Sequence, residues 1–414
     1  MMSLLAVATA GLLAGCYSLP TREAAAWIDY APPEPIAPGT PRGERNLRVF
    51  DCAWETVKTY YYDEAFHGVD WDAARARHRP AAEAARDDDA LYAAIGSLLG
   101  ELKDGHTRAQ SPQVVEERRE RRWVGLGLET AALKDSGGQV LVTNVSSWSP
   151  ASHAGVRPGW ILRTCNGQEA HGFLSARRFS DGEAVACVFL DQRSRTRTLD
   201  LVARVVHVPP VRERRLLNRG CIYLRFDEFK YADAAWLYRQ LLVYGDVPSL
   251  IIDLRYNSGG DIFCLEAMAG LFIPGGKVLG TAAKSGMPPR SIASHRPRFT
   301  PYYEGRVAFI VSSATSSAAE IFANAMREYC RSPIVGQRTV GHVLNAYQGV
   351  LPDGGEITFS IRDFLTPDGR HLEGAGVEPD VKVVYRIEDL RAGRDIGVAA
   401  ALAALRVLSA APGS

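Results

Sequence analysis

The sequence predicts an α/β protein in which a helical region and a small β-rich unit precede the main core. In the second half of the chain, apolar runs such as 221–226 and 307–311 alternate with helix-forming stretches, which is typical of an α/β core. Residues 45–115 place apolar side chains on helical faces, whereas residues 122–207 contain strand-like runs separated by glycine turns. The α/β core itself is predicted at 208–390.

The composition is that of a globular protein without an excess of basic charge. The chain has 414 residues, of which 46% are hydrophobic and 23% are charged, so it can form two or three domains with sizeable cores. Its 48 basic and 47 acidic side chains give a net charge of +1. A nucleic-acid-binding domain needs a basic surface, so we expect no nucleic-acid partner.

The seven cysteines do not indicate a metal or redox site. They are widely spaced and form no C-x-x-C pair, so neither a zinc site nor a thioredoxin motif is expected. Cys187 and Cys221 lie in apolar strand-like runs and are predicted to be buried thiols. The glycines at 125 and 127 lack the third glycine of a dinucleotide-binding loop. We therefore predict neither a metal nor a cofactor.

Residues 1–16 resemble a bacterial lipoprotein signal. Their apolar run is too short to span a bilayer, and it ends in a Leu-Ala-Gly-Cys sequence at 13–16 that is similar to the lipobox. The resemblance implies a lipid on Cys16, hence a membrane anchor. It places the chain in the bacterial cell envelope, as a periplasm-facing lipoprotein of the outer membrane. Residues 17–44 are rich in Pro and Ala and read as an extended tether.

Two helical regions flank the rest of the chain. The domain at 45–115 contains an Asp-Gly-His-Thr sequence at 104–107, and a glycine beside a histidine is typical of a helix end. Taken by itself, His106 would be a capping or core residue. Residues 391–414 contain an Ala- and Leu-rich helix, which we expect to pack on the core or on a second subunit.

The β-rich unit at 122–207 resembles a PDZ domain. It begins with a Gly-Leu-Gly-Leu loop and later carries Asn166-Gly167, a strong hairpin signal. In that family the loop holds the terminal carboxylate of a peptide on backbone N–H groups, and the peptide is added as an edge strand. The resemblance therefore implies a peptide-binding site formed by Gly125, Leu126, Gly127 and Leu128.

The chemistry of the core is predicted where strand 307–311 meets the following helix. Thr315 and Ser316 are good N-cap residues, and capping alone would explain a Ser/Thr-rich turn here. A hydroxyl at a helix N-terminus also meets unpaired N–H groups and a partial positive charge. Ser317 is therefore a candidate nucleophile, and the N–H of Ala318 is a candidate oxyanion donor.

The order of several motifs resembles the C-terminal processing peptidases, also called tail-specific proteases. The motifs are Asp-Gly-His-Thr at 104–107, the PDZ-like unit, Asp-Leu-Arg-x-Asn-x-Gly-Gly at 253–260, Ser-Ala-Ala-Glu at 317–320 and Glu-Gly-Ala-Gly-Val-Glu-Pro-Asp at 373–380. The resemblance implies a crotonase-like or ClpP-like αβ peptidase core. It also implies a serine endopeptidase whose protein or peptide substrates are recognised by their free C-termini, with a homo-oligomer or an adaptor as a further partner.

The resemblance also implies roles for individual residues. In one catalytic style of the family a lysine is the base, but its position here is His342, so a Ser–Lys dyad cannot be carried over. In the tricorn-like style the base is a histidine oriented by a glutamate, and these match His106 and Glu373. A serine that can precede the histidine is replaced by Gly105.

Physical chemistry favours a histidine base. A lysine base needs its pKa brought down from about 10.4, whereas histidine starts near about 6.5. We therefore predict Ser317 as nucleophile, His106 as base and Glu373 as its orienting partner, with His342 as the alternative base. The predicted oxyanion donors are the N–H group of Ala318 and that of Gly259 or Gly260.

Two other functions remain open from the sequence. The missing lysine would suit a catalytically degraded PDZ-bearing lipoprotein that serves as a peptide-binding scaffold. An esterase of the α/β-hydrolase type is disfavoured, because no G-x-S-x-G elbow surrounds Ser317.

Overall fold

The computed structural model describes residues 28–410 except 134, 135, 176, 177, 219 and 297–301. The predicted signal peptide with Cys16, and the first part of the predicted tether, lie outside the described residues. Within the described ranges, every helix falls short of the length or the apolar character needed to cross a bilayer.

The chain divides into two compact units. Unit 1 contains the chain up to Pro112, Val211–Lys382 and the residues from Ala400 onward, and unit 2 contains Gln113–Pro210 and Val383–Ala399. The α-helices are α1 (Arg42–Tyr60), α2 (Trp71–Glu83), α3 (Asp88–Gly100), α4 (Pro112–Arg119), α5 (Pro150–His153), α6 (Ala170–Ser175), α7 (Tyr231–Tyr244), α8 (Ile262–Ala269), α9 (Ala318–Cys330), α10 (Ile387–Arg391) and α11 (Ile396–Ala410). The strands are β1 (Arg108–Gln110), β2 (Arg122–Gly125), β3 (Leu128–Ala132), β4 (Val140–Val145), β5 (Ile161–Cys165), β6 (Gln168–Glu169), β7 (Ala184–Leu190), β8 (Thr196–Val202), β9 (Arg204–His207), β10 (Arg212–Asn218), β11 (Cys221–Phe226), β12 (Ser249–Asp253), β13 (Val278–Ala283), β14 (Arg290–Ala293), β15 (Arg306–Val311), β16 (Ile334–Gly336), β17 (Asn345–Val350), β18 (Glu356–Leu365) and β19 (Val381–Lys382).

The main sheet of unit 1 has six strands in the order β10-β11-β12-β15-β16-β19. The β10–β11 pair is antiparallel and the other pairs are parallel. All five residues of β12 are buried, as are five of the six in β15. Strands of parallel sheets are covered on both faces, which explains the continuous apolar runs in the sequence. The strands predicted at 221–226 and 307–311 are confirmed, and the fold is α/β.

A second, antiparallel sheet of unit 1 has the order β1-β18-β13-β14, and β17 pairs with β18. The N-terminal helices α1–α3 share one hydrophobic core with it. Phe50 and Ile95 of the helices are fully buried in the same cluster as Ile357 and Phe359 of β18. The predicted helical region is present, and its core is completed by strands from the far end of the sequence.

Unit 2 is built around an antiparallel sheet in the order β3-β4-β5-β7-β8, with β6 paired to β5. The hairpin predicted at Asn166-Gly167 is confirmed, because these residues connect β5 to β6 with φ angles of 49° and 75°. Both angles are positive, as a tight two-residue hairpin requires. Cys187 in β7 is fully buried, as its apolar neighbours predict, and so is Cys221 in β11 of unit 1.

The parallel strands position the candidate site. β12, β15 and β16 are neighbours in the main sheet, so their carboxyl ends lie along one edge. The segments that leave this edge are 254–261, 312–317 and 337–344. Loops at the carboxyl ends of adjacent parallel strands are where α/β proteins place their functional groups.

Candidate active site

Ser317 lies at the N-cap of α9 in a strained backbone conformation. Its φ and ψ angles are 58° and −126°. A residue other than glycine in such a region costs about 1–3 kcal/mol, and such residues cluster at functional sites. The Ser317 N–H donates to the carbonyl oxygen of His342 at 2.7 Å and to the Glu320 carboxylate at 3.0 Å. These bonds hold the half-buried serine at the start of the helix.

The prediction that Thr315 or Ser316 caps the helix is wrong. Thr315 is fully buried, and its hydroxyl donates to the carbonyl oxygen of Leu254 at 2.8 Å. The Ser316 N–H donates to the carbonyl oxygen of Asn257 at 3.0 Å. Both residues connect the turn to the segment after β12, which leaves Ser317 as the N-cap residue.

Glu320 is the buried anchor of the site. Its carboxylate accepts hydrogen bonds from the N–H groups of Ser317, Gly341 and His342 at 2.8–3.0 Å and from the hydroxyl of Thr339. The side chain is fully buried, and burial raises its pKa although the hydrogen bonds partly oppose the shift. Through this carboxylate, the first turn of α9 fixes the segment that carries His342.

Replacing Glu320 with glutamine is expected to lower the free energy of unfolding by about 2–4 kcal/mol. Both carboxylate oxygens accept hydrogen bonds, so an amide nitrogen in either place would face a donor. Urea denaturation of the full chain measures the loss. Glu328→Gln is the matched control on the same helix, because the Glu328 side chain is 28% exposed, and it should change stability by less than about 1 kcal/mol. Equal effects of the two substitutions would show that Glu320 is not an anchor.

The predicted oxyanion donors differ in their present hydrogen bonds. The Ala318 N–H has no hydrogen-bond partner within the described part of the chain, and neither has the Gly260 N–H. The Gly259 N–H donates to the side-chain oxygen of the buried Asn257 at 2.9 Å. A Cβ on Gly259 would lie 2.6 Å from the Cβ of Ser317, so this glycine permits close approach to the serine. Among the described residues, the predicted donors without a hydrogen-bond partner are therefore Ala318, which directly follows Ser317, and Gly260.

The two candidate histidines meet in the same region of unit 1. The ring centroids of His106 and His342 are 6.1 Å apart, and the His342 carbonyl oxygen accepts from the Ser317 N–H. Burial lowers the pKa of His106 to about 4, opposed by Asp104 and reinforced by Arg108 and His342. The His106 imidazole is thus neutral at physiological pH, as a general base must be.

The His342 ring occupies the place of a missing side chain at Gly105. A Cβ on Gly105 would lie 2.3 Å from Cε1 of His342 and 2.4 Å from both ring nitrogens. Such distances are far below van der Waals contact, so residue 105 has to be glycine while the imidazole of His342 stays in this position. The position of the His342 ring therefore explains why residue 105 is glycine, where the family motif can have a serine.

Glu373 is connected to the backbone beside His342. Its carboxylate accepts from the N–H groups of Val343 and Leu344 at 2.7 Å and 3.2 Å. Burial, together with the charges of Asp104 and Glu320, raises the pKa of Glu373 to about 7, and the two hydrogen bonds oppose this shift. Nδ1 of His106 is buried and lacks a hydrogen-bond partner among the described residues. In this structure Glu373 and His106 are therefore not hydrogen-bonded to each other.

Asp104 shapes the turn that carries His106, a role that sequence reasoning missed. Its carboxylate accepts from the N–H groups of His106 and Thr107 at 2.6 Å and 3.2 Å and from the Thr107 hydroxyl at 2.6 Å. The buried Thr107 hydroxyl in turn accepts from the N–H of Ser360 in β18. An Asp two residues before a histidine, with a Thr just after it, is the local signal of such a turn.

Comparisons with known proteins agree with this architecture. A model described as peptidase family S41 matches residues 220–383, and a model of the tricorn protease C1 domain matches residues 44–100. The probable CtpA-like serine protease of Staphylococcus aureus (strain COL) is 26% identical over 308 residues, which cover 72% of this chain and 61% of that protein. The chain thus spans about three fifths of the length of that relative.

Two solved structures share the fold. The photosystem II D1 C-terminal processing protease has a TM-score of 0.56 at 24% identity, over 82% of this chain and 93% of the other. Mature CPAF complexed with lactacystin has a TM-score of 0.64 at 12% identity, over 89% of this chain and 98% of the other. At such identities the likeness establishes the fold.

Proposed function

We propose that the chain is a C-terminal processing peptidase of peptidase family S41, a serine endopeptidase that cleaves protein substrates through an acyl-enzyme on Ser317. The observation that carries the proposal is the position of Ser317. Its backbone is strained at the N-terminus of α9, and two histidines lie in the same region. The adjacent Ala318 N–H has no hydrogen-bond partner among the residues that the structure describes.

The proposed reaction follows from these positions. The Ser317 hydroxyl attacks a peptide carbonyl carbon while His106 accepts its proton, and the N–H groups of Ala318 and Gly260 stabilise the oxyanion. His106 then donates the proton to the leaving amine. In the second half of the reaction water attacks the acyl carbon while His106 accepts its proton, and His106 returns a proton to the Ser317 oxygen as the acid product leaves. Removing one oxyanion donor costs about 100- to 1000-fold in rate in enzymes of this kind.

Glu373 is proposed to orient His106 in the reacting enzyme. The unpaired Nδ1 of His106 needs an acceptor to stabilise the imidazolium that forms during the reaction. In this structure the Glu373 carboxylate is not bonded to that nitrogen. It accepts hydrogen bonds from the N–H groups of Val343 and Leu344 instead. We expect the Glu373 side chain to exchange these partners for His106 when a substrate is bound.

Labelling with a fluorophosphonate probe tests the proposed nucleophile. Trypsin cleaves after Arg306 and Arg327, so the labelled peptide 307–327 contains Ser316 and Ser317 together. We expect the mass increase on this peptide in the wild type and in Ser316→Ala, and its loss in Ser317→Ala. An unlabelled wild-type protein would instead support the peptide-binding scaffold, the alternative function favoured by the missing lysine.

We further propose that unit 2 binds substrate tails as a PDZ domain does. A cavity of about 470 Å³ in this unit is lined by the Gly-Leu-Gly-Leu loop at 125–128 and by Leu174, Arg178 and Phe179, among others. The N–H groups of Leu126 and Gly127 have no hydrogen-bond partner within the described residues. Unpaired N–H groups beside a cavity that has apolar side chains such as Leu174 and Phe179 in its lining suit a terminal carboxylate next to an apolar side chain.

A peptide with an apolar C-terminal residue and a free carboxylate is expected to bind at least about 10-fold more tightly than its C-terminal amide. The amide removes the charged acceptor, and charge-assisted hydrogen bonds contribute about 1.5–3 kcal/mol. Fluorescence anisotropy with a labelled peptide measures both affinities, and N-terminal acetylation is the control that should leave the affinity unchanged. Equal affinities for acid and amide would refute carboxylate recognition by the loop at 125–128.

The proposed location is the bacterial cell envelope, with Cys16 lipidated and substrates met on the periplasmic side. The support is the lipobox-like sequence at 13–16. A labelled fatty acid should be incorporated into the wild type and not into Cys16→Ser; equal incorporation would exclude Cys16 as the lipid site. A homo-oligomer or an adaptor protein stays a prediction of the family resemblance.

A further inference from the structure

Two cysteines of unit 2 face each other across neighbouring antiparallel strands. The register of β5 and β7 places Cys165 directly opposite Cys187. The adjacent Asn166 N–H donates to the carbonyl oxygen of Ala186 at 2.8 Å, which makes the cysteines a non-hydrogen-bonded pair. The Cα atoms of such pairs are about 4.5 Å apart, and disulfides span Cα separations of about 4.4–6.8 Å. The backbone thus already has a spacing that a disulfide can bridge.

The two sulfur atoms are also close and isolated from solvent. Sγ of Cys165 lies 4.0 Å from Sγ of Cys187, and both side chains are fully buried in the hydrophobic core of unit 2. Cys221 is equally apolar in its surroundings, yet its thiol faces the carbonyl oxygen of Ile222. Among the described cysteines, Cys165 and Cys187 are the pair whose sulfur atoms lie within 4.0 Å of each other.

We propose that Cys165 and Cys187 form a structural disulfide when the chain folds in an oxidising compartment. A thiolate of the pair attacks a disulfide of the oxidant, which is a disulfide-bearing oxidase or oxidised glutathione, and one thiol leaves. The second cysteine thiolate then attacks the mixed disulfide and displaces the other thiol. Two protons leave the cysteines, two electrons pass to the oxidant, and one S–S bond forms.

The timing of the reaction follows from the burial of both thiols. Because both side chains are fully buried in the folded unit, the oxidant reaches them before the core of unit 2 closes. The bond accordingly forms during folding and is afterwards protected from reductants.

The disulfide would restrain part of the lining of the cavity in unit 2 that we propose binds peptide tails. It closes a loop that contains β6, α6 and the cavity-lining residues Leu174, Arg178 and Phe179. A cross-link of this kind stabilises mainly by reducing the freedom of the unfolded chain. The bond itself does not depend on the proposed peptidase activity, so a failure of either proposal leaves the other intact.

Peptide mapping of the full chain tests the bond. The protein is exported to the periplasm of a bacterial host, its free thiols are alkylated in denaturant, and it is digested with trypsin without reductant. Cleavage after Arg163, Arg177, Arg178 and Arg193 puts the two cysteines in separate peptides, 164–177 and 179–193. We expect a linked species two hydrogens lighter than the sum of the two peptides, and its conversion to the separate peptides by reductant. Recovery of both peptides in alkylated form would overturn the proposal.

Matched variants separate the disulfide from simple packing of thiols. Cys221→Ser should retain the linked species and Cys187→Ser should lose it. Reductant should lower the urea midpoint of the exported wild type and leave that of Cys165→Ala and Cys187→Ala unchanged. If reductant does not lower the urea midpoint of the wild type, the proposed stabilising disulfide is contradicted. If export yields no protein, the same digest after refolding in glutathione buffer decides the question by the same criteria.

Discussion

Ser317→Ala is expected to lower kcat/KM for an unstructured protein with an apolar C-terminus by at least about 1000-fold. The substitution removes the attacking oxygen and keeps the Cβ, so the strained backbone at φ 58° is unchanged. It also keeps the Ser317 N–H, which donates to His342 and Glu320. The loss of activity should far exceed the loss of stability, which urea denaturation should show to be about 0.5–2 kcal/mol, the usual cost of alanine at an N-cap.

Ser316→Ala is the matched control for this experiment. Ser316 is the preceding residue in the same turn, and its N–H bond to Asn257 survives the substitution. We expect the control to retain activity within about 10-fold, since it removes a hydroxyl with no proposed role in the reaction. Cleavage by Ser317→Ala at the wild-type rate would disprove the assignment of the nucleophile.

His106→Ala is expected to lower kcat/KM by at least about 1000-fold, whereas His342→Ala should cost less than about 10-fold. We expect different losses of kcat/KM because His342 acts through its backbone and His106 through its imidazole. The described contacts of His342 to Ser317 and Glu320 use its backbone, which alanine retains. The half-buried His106 imidazole is neutral, and its buried Nδ1 has no hydrogen-bond partner within the described part of the chain.

The pH profile provides a second readout for the same comparison. Burial lowers the pKa of His106 to about 4. Protonation of His106 should therefore reduce kcat/KM only when the pH falls towards that value. The pKa of Glu373 is about 7, and only its ionised form can stabilise the imidazolium. We therefore expect kcat/KM of the wild type to rise as the pH passes through about 7, and Glu373→Gln to lack this rise. A larger loss in His342→Ala than in His106→Ala would identify His342 as the base.

The sequence predicted the elements whose signals are local. The continuous apolar runs of β11 and β15 and the Asn166-Gly167 hairpin are properties of a few consecutive residues, and the structure contains them. The candidate residues Ser317, His106, His342 and Glu373 came from motif order, and all of them belong to unit 1.

The interactions that organise the site could not be predicted, because they join residues far apart in the sequence. In the sequence Glu320 is an acidic residue in the first turn of a helix, and only the fold brings Gly341 and His342 to its carboxylate. The engagement of the Gly259 N–H by Asn257 depends on the path of a single turn. Sequence patterns specify which residues are available, whereas burial of a carboxylate among N–H groups is a property of the assembled loops.

The ring of His342 above Gly105 couples two positions that a residue-by-residue reading treats as independent. With a slender, flexible side chain at position 342, that space would become available to a side chain at position 105. A side chain at position 105 therefore depends on which residue occupies position 342, so the effects on stability of substitutions at the two positions should not be additive.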